Sequence, residues 1–192
     1  MNFNKHYGYE GRHAVLSASQ NAWTNYTDDK FDVSFRSKLA AARGTELHDF
    51  ASKAIKLGIR QADTEATLNR YINDALGFRM EPEVLLYYSE NAFGTADAVG
   101  FIVPKGSDRF MLRIHDLKTG ITHASFRQLE VYVAYFCLEY KIKPGEIDIE
   151  LRIYQNDQIK VHVPELDTIL HIMGTIQNFD RRIELLREEM SR

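Results

Sequence analysis

The spacing of apolar residues changes period along the chain, and each period predicts a different element. Residues 1–16 are polar and aromatic without a repeat, which reads as an irregular arm. Ser17 and Gln20 fit a capping box opening a short helix through Trp23 to about residue 26, with Asp28-Asp29-Lys30 breaking it. Over 34–57, Leu39, Leu47, Phe50, Ala51 and Ala54 recur at three- and four-residue spacing, predicting a helix with Gly58 as its C′ residue. Leu68, Ile72 and Leu76 predict another over 64–76, with Gly77 after it.

The period then falls to two. Segments 84–90, 94–103 and 109–118 read as successive strands, the last two joined by the turn 104–108 into an antiparallel hairpin. A mostly apolar segment, 123–140, predicts a largely buried helix, with Lys143-Pro144-Gly145 ending that region. Segments 147–154 and 158–163 predict a second hairpin about Asn156-Asp157. Pro164 opens a C-terminal helix to about residue 190, carrying Leu166, Ile169, Leu170, Met173, Ile176 and Phe179. This order predicts an α/β fold, one mixed β-sheet of about five strands flanked by helices. No repeat, low-complexity tract or linker interrupts 1–192, so one domain is expected.

Charge changes this picture in one respect. The net charge is −3, so the surface is not basic overall. A nucleic-acid binder with this balance must cluster its cations, because phosphate contacts supply most non-specific affinity. The candidates are Lys5, His6, Arg12 and His13 in the arm, Arg36, Lys38 and Arg43 ahead of His48, and Arg127. The single cysteine, Cys137, excludes an intrachain disulfide and a four-cysteine zinc or iron–sulfur site. No apolar leader opens the chain, and the longest apolar run, 131–138, is far too short to span a bilayer. The expectation is a soluble, cytoplasmic protein with no membrane partner.

Four groups of residues could carry chemistry. Asp116 and Lys118 stand on one face of a predicted strand, a carboxylate for a divalent cation beside an ammonium for the attacking water. Alone, that pair is a weak signal and reads first as a salt bridge on a surface strand. Asp97 is the one acid in the small, apolar stretch 94–101, and in an antiparallel pair it can approach Asp116. Two such charges repel unless a cation lies between them; the alternative is a pair with Arg113 or Lys118. His48 sits on a predicted helix among Gly44, Thr45, Ala51 and Ser52, a face small enough to approach a sheet closely. Gln128 and Tyr132 are one helical turn apart and can bond phosphate oxygens or bases without adding charge. Thr119-Gly120 leads into the same helix, whose N-terminus suits an anion.

In order, these groups read G-x-x-x-H at Gly44 to His48, G-x-x-D at Gly94 to Asp97, D-x-K-T-G at Asp116 to Gly120, and Q-x-x-x-Y at Gln128 to Tyr132. The series resembles the RecB-like branch of the PD-(D/E)XK nuclease superfamily, and the stretch from His13 through Trp23 is similar to the start of such proteins. The resemblance implies a restriction-endonuclease-like core and a metal-dependent DNA nuclease. His48, Asp97 and Asp116 would bind Mg²⁺ or Mn²⁺ with the Leu117 carbonyl, and Glu90 would be an outer acid. Lys118 would orient the water, and Gln128, Tyr132, Thr119, Arg127 and Arg43 would meet DNA. The family's proline is absent, and one cysteine excludes the iron–sulfur cluster that many relatives carry. The size is similar to phage and mobile-element nucleases of the lambda exonuclease group, which implies an exonuclease in DNA processing or recombination. A homo-oligomer, a phage recombination or replication partner, and the host cytoplasm as location would follow. A structure-specific or nicking endonuclease, or a DNA-binding or assembly protein that has lost turnover, are the other readings.

Overall fold

The computed structural model describes residues 7–9, 14–120 and 124–191. Lys5, His6, Arg12, His13 and His123 therefore lie outside the described residues. The backbone falls into two compact units, one up to Arg43 and one from Gly44 onward.

In the first unit a 3₁₀ turn, Asn21–Asn25, stands where a helix was expected. The capping box does not form. Ser17 Oγ pairs with Ser19 Oγ at 2.9 Å, Gln20 makes no side-chain cap, and the Trp23 indole donates to Ser17 O at 2.9 Å. A single short turn cannot recover the cost of nucleating an α-helix. Nor do Asp28 and Asp29 break a helix. They begin α1 (Asp28–Lys56), and as acids in its first turn they complement the helix dipole.

The end of α1 follows the sequence reading. Gly58 takes φ 68°, donating to Ile55 O at 3.0 Å, and Ile59 N donates to Ala54 O at 2.9 Å. That is a Schellman motif with glycine at the left-handed position. The apolar stripe of α1 behaves otherwise. Ala51, Ala54 and Ile55 are buried, whereas Leu39, Leu47 and Phe50 are 50%, 38% and 48% exposed. The helix buries its small face and not its large one. α2 (Thr67–Gly77) closes in the same manner as α1, but with Arg79 at φ 56°, not a glycine, in the left-handed position.

The sheet has five strands in sequence order: β1 (Glu81–Ser89), β2 (Ala92–Ile102), β3 (Met111–Lys118), β4 (Asp148–Gln155) and β5 (Gln158–His162). β1, β2 and β3 pair antiparallel, β3 and β4 pair parallel, and β4 and β5 form a hairpin. The parallel step needs a crossover, supplied by α3 (Arg127–Tyr140). α3 is largely buried, and its end is set by Lys141 at φ 55°, two residues before the expected Lys143-Pro144-Gly145. Asn156 and Asp157, both at positive φ, make the tight β4–β5 turn. Asp157 also caps α2, accepting from Thr67 N and Oγ1 at 3.0 Å each. α4 (Leu166–Met190) ends the chain's regular structure.

Alternation along the strands feeds two cores. Leu112, Ile114, Leu151 and Ile153 pack with Leu129, Val133 and Phe136 of α3 and Ile169 of α4. Ala98, Leu117 and Tyr154 pack with Ala51 and Ile55 of α1 and Tyr71 and Ile72 of α2. The protein is therefore α/β, a five-stranded mixed sheet flanked by four helices. Among the described residues no helix is long and apolar enough to cross a membrane.

Candidate functional site

The site lies where the β2–β3 ladder stops. Its last pair is Ala98 with His115, and one more step of the same register sets Asp97 opposite Asp116. There the Leu117 amide donates to Asp97 Oδ2 at 2.9 Å. A side-chain carboxylate has thus taken an N–H at the ladder's end.

α1 completes one wall. His48 Nδ1 stands 3.3 Å from Asp97 Oδ2. That hydrogen bond raises the His48 pKa above its ordinary value, with burial opposing it. The approach depends on the small face of the helix, as the sequence suggested. A Cβ on Gly44 would come within 2.7 Å of Thr119 Oγ1.

The third acid of the region is not Glu90. Glu90 lies at the β1–β2 turn, past the Ser89–Ala92 pair and away from Asp97. The acid beside the site is Glu83. β1 pairs Pro82 with Ala98 and Val84 with Ala96, so Glu83 falls opposite Asp97, and it does so at φ 54°. Such a backbone costs a non-glycine residue about 1–3 kcal/mol and persists where surroundings hold it. Here Ser52 Oγ donates to its Oε2 at 2.7 Å and Lys56 Nζ at 2.8 Å, and these bonds lower its pKa. His48, Glu83, Asp97 and Thr95 line a cavity of about 160 Å³ with Ser52 and Tyr71. Starting the strand at Val84 concealed Glu83, although Glu83, Leu85 and Tyr87 follow the period of two.

Asp116 is buried, its side chain 5% exposed. Lys118 Nζ is 3.0 Å from its Oδ2, confirming that the two side chains share a face. Apart from that ammonium, Oδ2 has no hydrogen-bond partner among the described residues. Burial, then the charge of Asp97, raises the Asp116 pKa; Lys118 and His48 oppose them. Two carboxylates repelling each other, one with an orphaned oxygen, form a donor set of the kind hard divalent cations take. Among the described residues, however, no three His, Cys, Asp or Glu side chains are grouped closely enough to hold a metal ion.

Lys118 also donates to Gln128 Oε1 at 3.0 Å, Gln128 Nε2 donates to Tyr132 Oη at 3.1 Å, and Tyr132 donates to Thr95 O at 2.7 Å. Tyr132 is only 9% exposed. Its hydroxyl is committed to the β2 backbone, so the DNA contact expected of it is not open in this structure; it braces the site from behind. Arg127 is exposed and pairs with Glu130 at 3.1 Å. Thr119 is exposed at the end of β3, and Arg43 is exposed as the last residue of the first unit.

Compared with known protein families, curated proteins and solved structures, the chain matches none.

Proposed function

We propose that the chain is a metal-dependent DNA nuclease on a restriction-endonuclease-like core, an exonuclease in phage or mobile-element DNA processing. One observation carries the reading: Asp97 and Asp116 face each other at the end of a strand pair, with Lys118 against the buried, under-satisfied carboxylate of Asp116. Chance salt bridges do not need the second acid. Asp97, Asp116 and His48, with the Leu117 carbonyl, would hold Mg²⁺ or Mn²⁺, and Glu83 takes the outer role once expected of Glu90. A bound ion would supply an activated water and neutralise phosphate charge. Lys118, beside Asp116 and tied to Gln128, would hold a phosphate oxygen or the water. His48 and Ser52 close the cavity wall.

Incubation with linear and with closed circular DNA, in Mg²⁺, Mn²⁺ or EDTA, tests this. Loss of linear DNA alone, abolished by EDTA, is expected. Nicking of circles would make it an endonuclease. Lys118→Ala should lower the single-turnover rate by roughly 10²- to 10⁴-fold with little change in DNA affinity. A second reading, a DNA-binding or assembly protein without turnover, is favoured by the direct His48–Asp97 contact and the lack of a converged ligand trio. DNA bound but uncut in every metal would establish it and overturn the nuclease.

A further inference from the structure

The C-terminal half of α4 is an unusual surface. Ile169, Ile172, Ile176, Phe179, Ile183, Leu186 and Met190 follow one another at alternating steps of three and four residues, the a and d positions of a heptad repeat. The first two are buried, Ile169 within the core packed by α3. Past Ile176 the helix continues, but the stripe emerges into solvent: Phe179 is 60% exposed, Leu186 40% and Met190 88%. The tip of the β1–β2 hairpin touches one flank of this half, through Asp180 and Glu184, and Ile183 on the stripe is half-buried. A strict 3.5-residue repeat serves a helix packed along another helix, whereas a helix lying on a sheet needs only a broader 3.6-residue stripe.

We propose that this seam pairs with α4 of a second copy of the chain, antiparallel, to form a homodimer. The charges beside the seam select both the partner and its direction. With Ile183 at a, the e positions are Asp180 and Arg187, and the g positions are Arg182 and Glu189. In a parallel pair, g faces the following e, which sets Arg182 against the partner's Arg187. In an antiparallel pair e faces e and g faces g. Asp180 then meets the partner's Arg187, which in its own chain also pairs with Glu184 at 2.8 Å, and Arg182 meets the partner's Glu189, each twice by symmetry. Both hydrogen bonds that Asp180 accepts from Ser89 and Asn91 fall on Oδ1, so Oδ2 remains for the partner. Arg182 and Glu189 form no ion pair among the described residues. Four apolar layers result: Phe179 against the partner's Met190, Ile183 against the partner's Leu186, and their two mates. Two heptads are short for a free coiled coil, but the helix is anchored by Ile169 and Ile172, so its ordering cost falls on folding and not on association.

Sedimentation equilibrium of the full chain over a range of concentrations reads the result. A monomer–dimer equilibrium is expected, with the dissociation constant raised at least about tenfold by Leu186→Glu or Phe179→Glu while the circular dichroism is unchanged. Arg182→Glu should weaken the dimer, and Arg182→Glu with Glu189→Arg should restore it. A monomer at all concentrations, or a dimer indifferent to Leu186→Glu, overturns the proposal. A dimer strengthened by Arg182→Glu overturns the antiparallel arrangement. Neither readout depends on cleavage of DNA.

Discussion

Tyr132 donates its hydroxyl hydrogen to the carbonyl of Thr95 at 2.7 Å, and its ring edge fills the space where Gly94 has no side chain. A Cβ at Gly94 would lie 2.9 Å from that ring. Three residues after Gly94, β2 presents Asp97. Gly94→Ala should therefore lower stability by about 1–3 kcal/mol through overpacking. Tyr132→Phe should cost a similar amount, roughly 1–3 kcal/mol, by stranding the Thr95 carbonyl. Urea midpoints at constant m-value are the measure; an unchanged midpoint in both variants would remove Tyr132 as a brace.

Asp116 is a buried carboxylate held near another negative charge, so ionising it opposes folding. Its pKa is raised in the folded state. The stability it contributes is present below its unfolded pKa and lost as pH rises through the folded value. At neutral pH Asp116→Asn should then stabilise the metal-free protein, on the order of 1 kcal/mol or about 2–4 °C in Tm, while abolishing cleavage. A lower Tm in EDTA would mean that Lys118 and His48 more than offset the repulsion.

The β1–β2–β3 order, the 104–108 turn and the two hairpins were legible because a period of two with turn residues between has few other solutions. The juxtaposition of His48 with Asp97 was legible in the small residues around His48. Glu83 was not, because its position depends on a positive φ beside Pro82 that no local pattern encodes. The bond of Tyr132 to the β2 backbone was not legible either, for a related reason. A motif tyrosine looks the same in sequence whether it points to a ligand or to a backbone carbonyl. The α1 stripe failed at Leu39, Leu47 and Phe50, since periodicity identifies an apolar face without saying that the sheet will choose the small one.

Cys137 is 1% exposed, and burial pushes its pKa up to about 11. At pH 7.5 only roughly one thiol in several thousand is thiolate, and that one is enclosed. Iodoacetamide should label the native protein at the rate of unfolding, not at the rate of a free thiol. Rapid labelling under native conditions would contradict the packing of α3.

His115 gives the pH dependence a clear sign. It is fully buried, with Nδ1 3.2 Å from the Tyr154 hydroxyl and Nε2 without a partner among the described residues. Tyr154 spends its one hydrogen on Asp74 Oδ2 at 2.7 Å, so His115 must carry its proton on Nδ1 and donate to Tyr154. Burial first, then the nearby Arg152 and Arg113, holds the imidazole well below its ordinary value of 6.5. Below that value the unfolded chain takes up a proton that the folded protein refuses. Stability should therefore fall as pH drops through 6.5, at up to about 1.4 kcal/mol per pH unit from this group. Asp116 acts oppositely in more acid solution, so the difference between two proteins isolates His115. His115→Leu keeps the Tyr154–Asp74 bond and has no proton to gain. Its stability curve between pH 7 and 5 should be flatter than that of the wild type by the same slope, whatever its absolute stability. Parallel curves would mean that His115 takes up its proton as readily in the folded protein as in the unfolded chain, in which case burial does not exclude the charged imidazole and the hydrogen bonds beneath α2 are wrongly assigned.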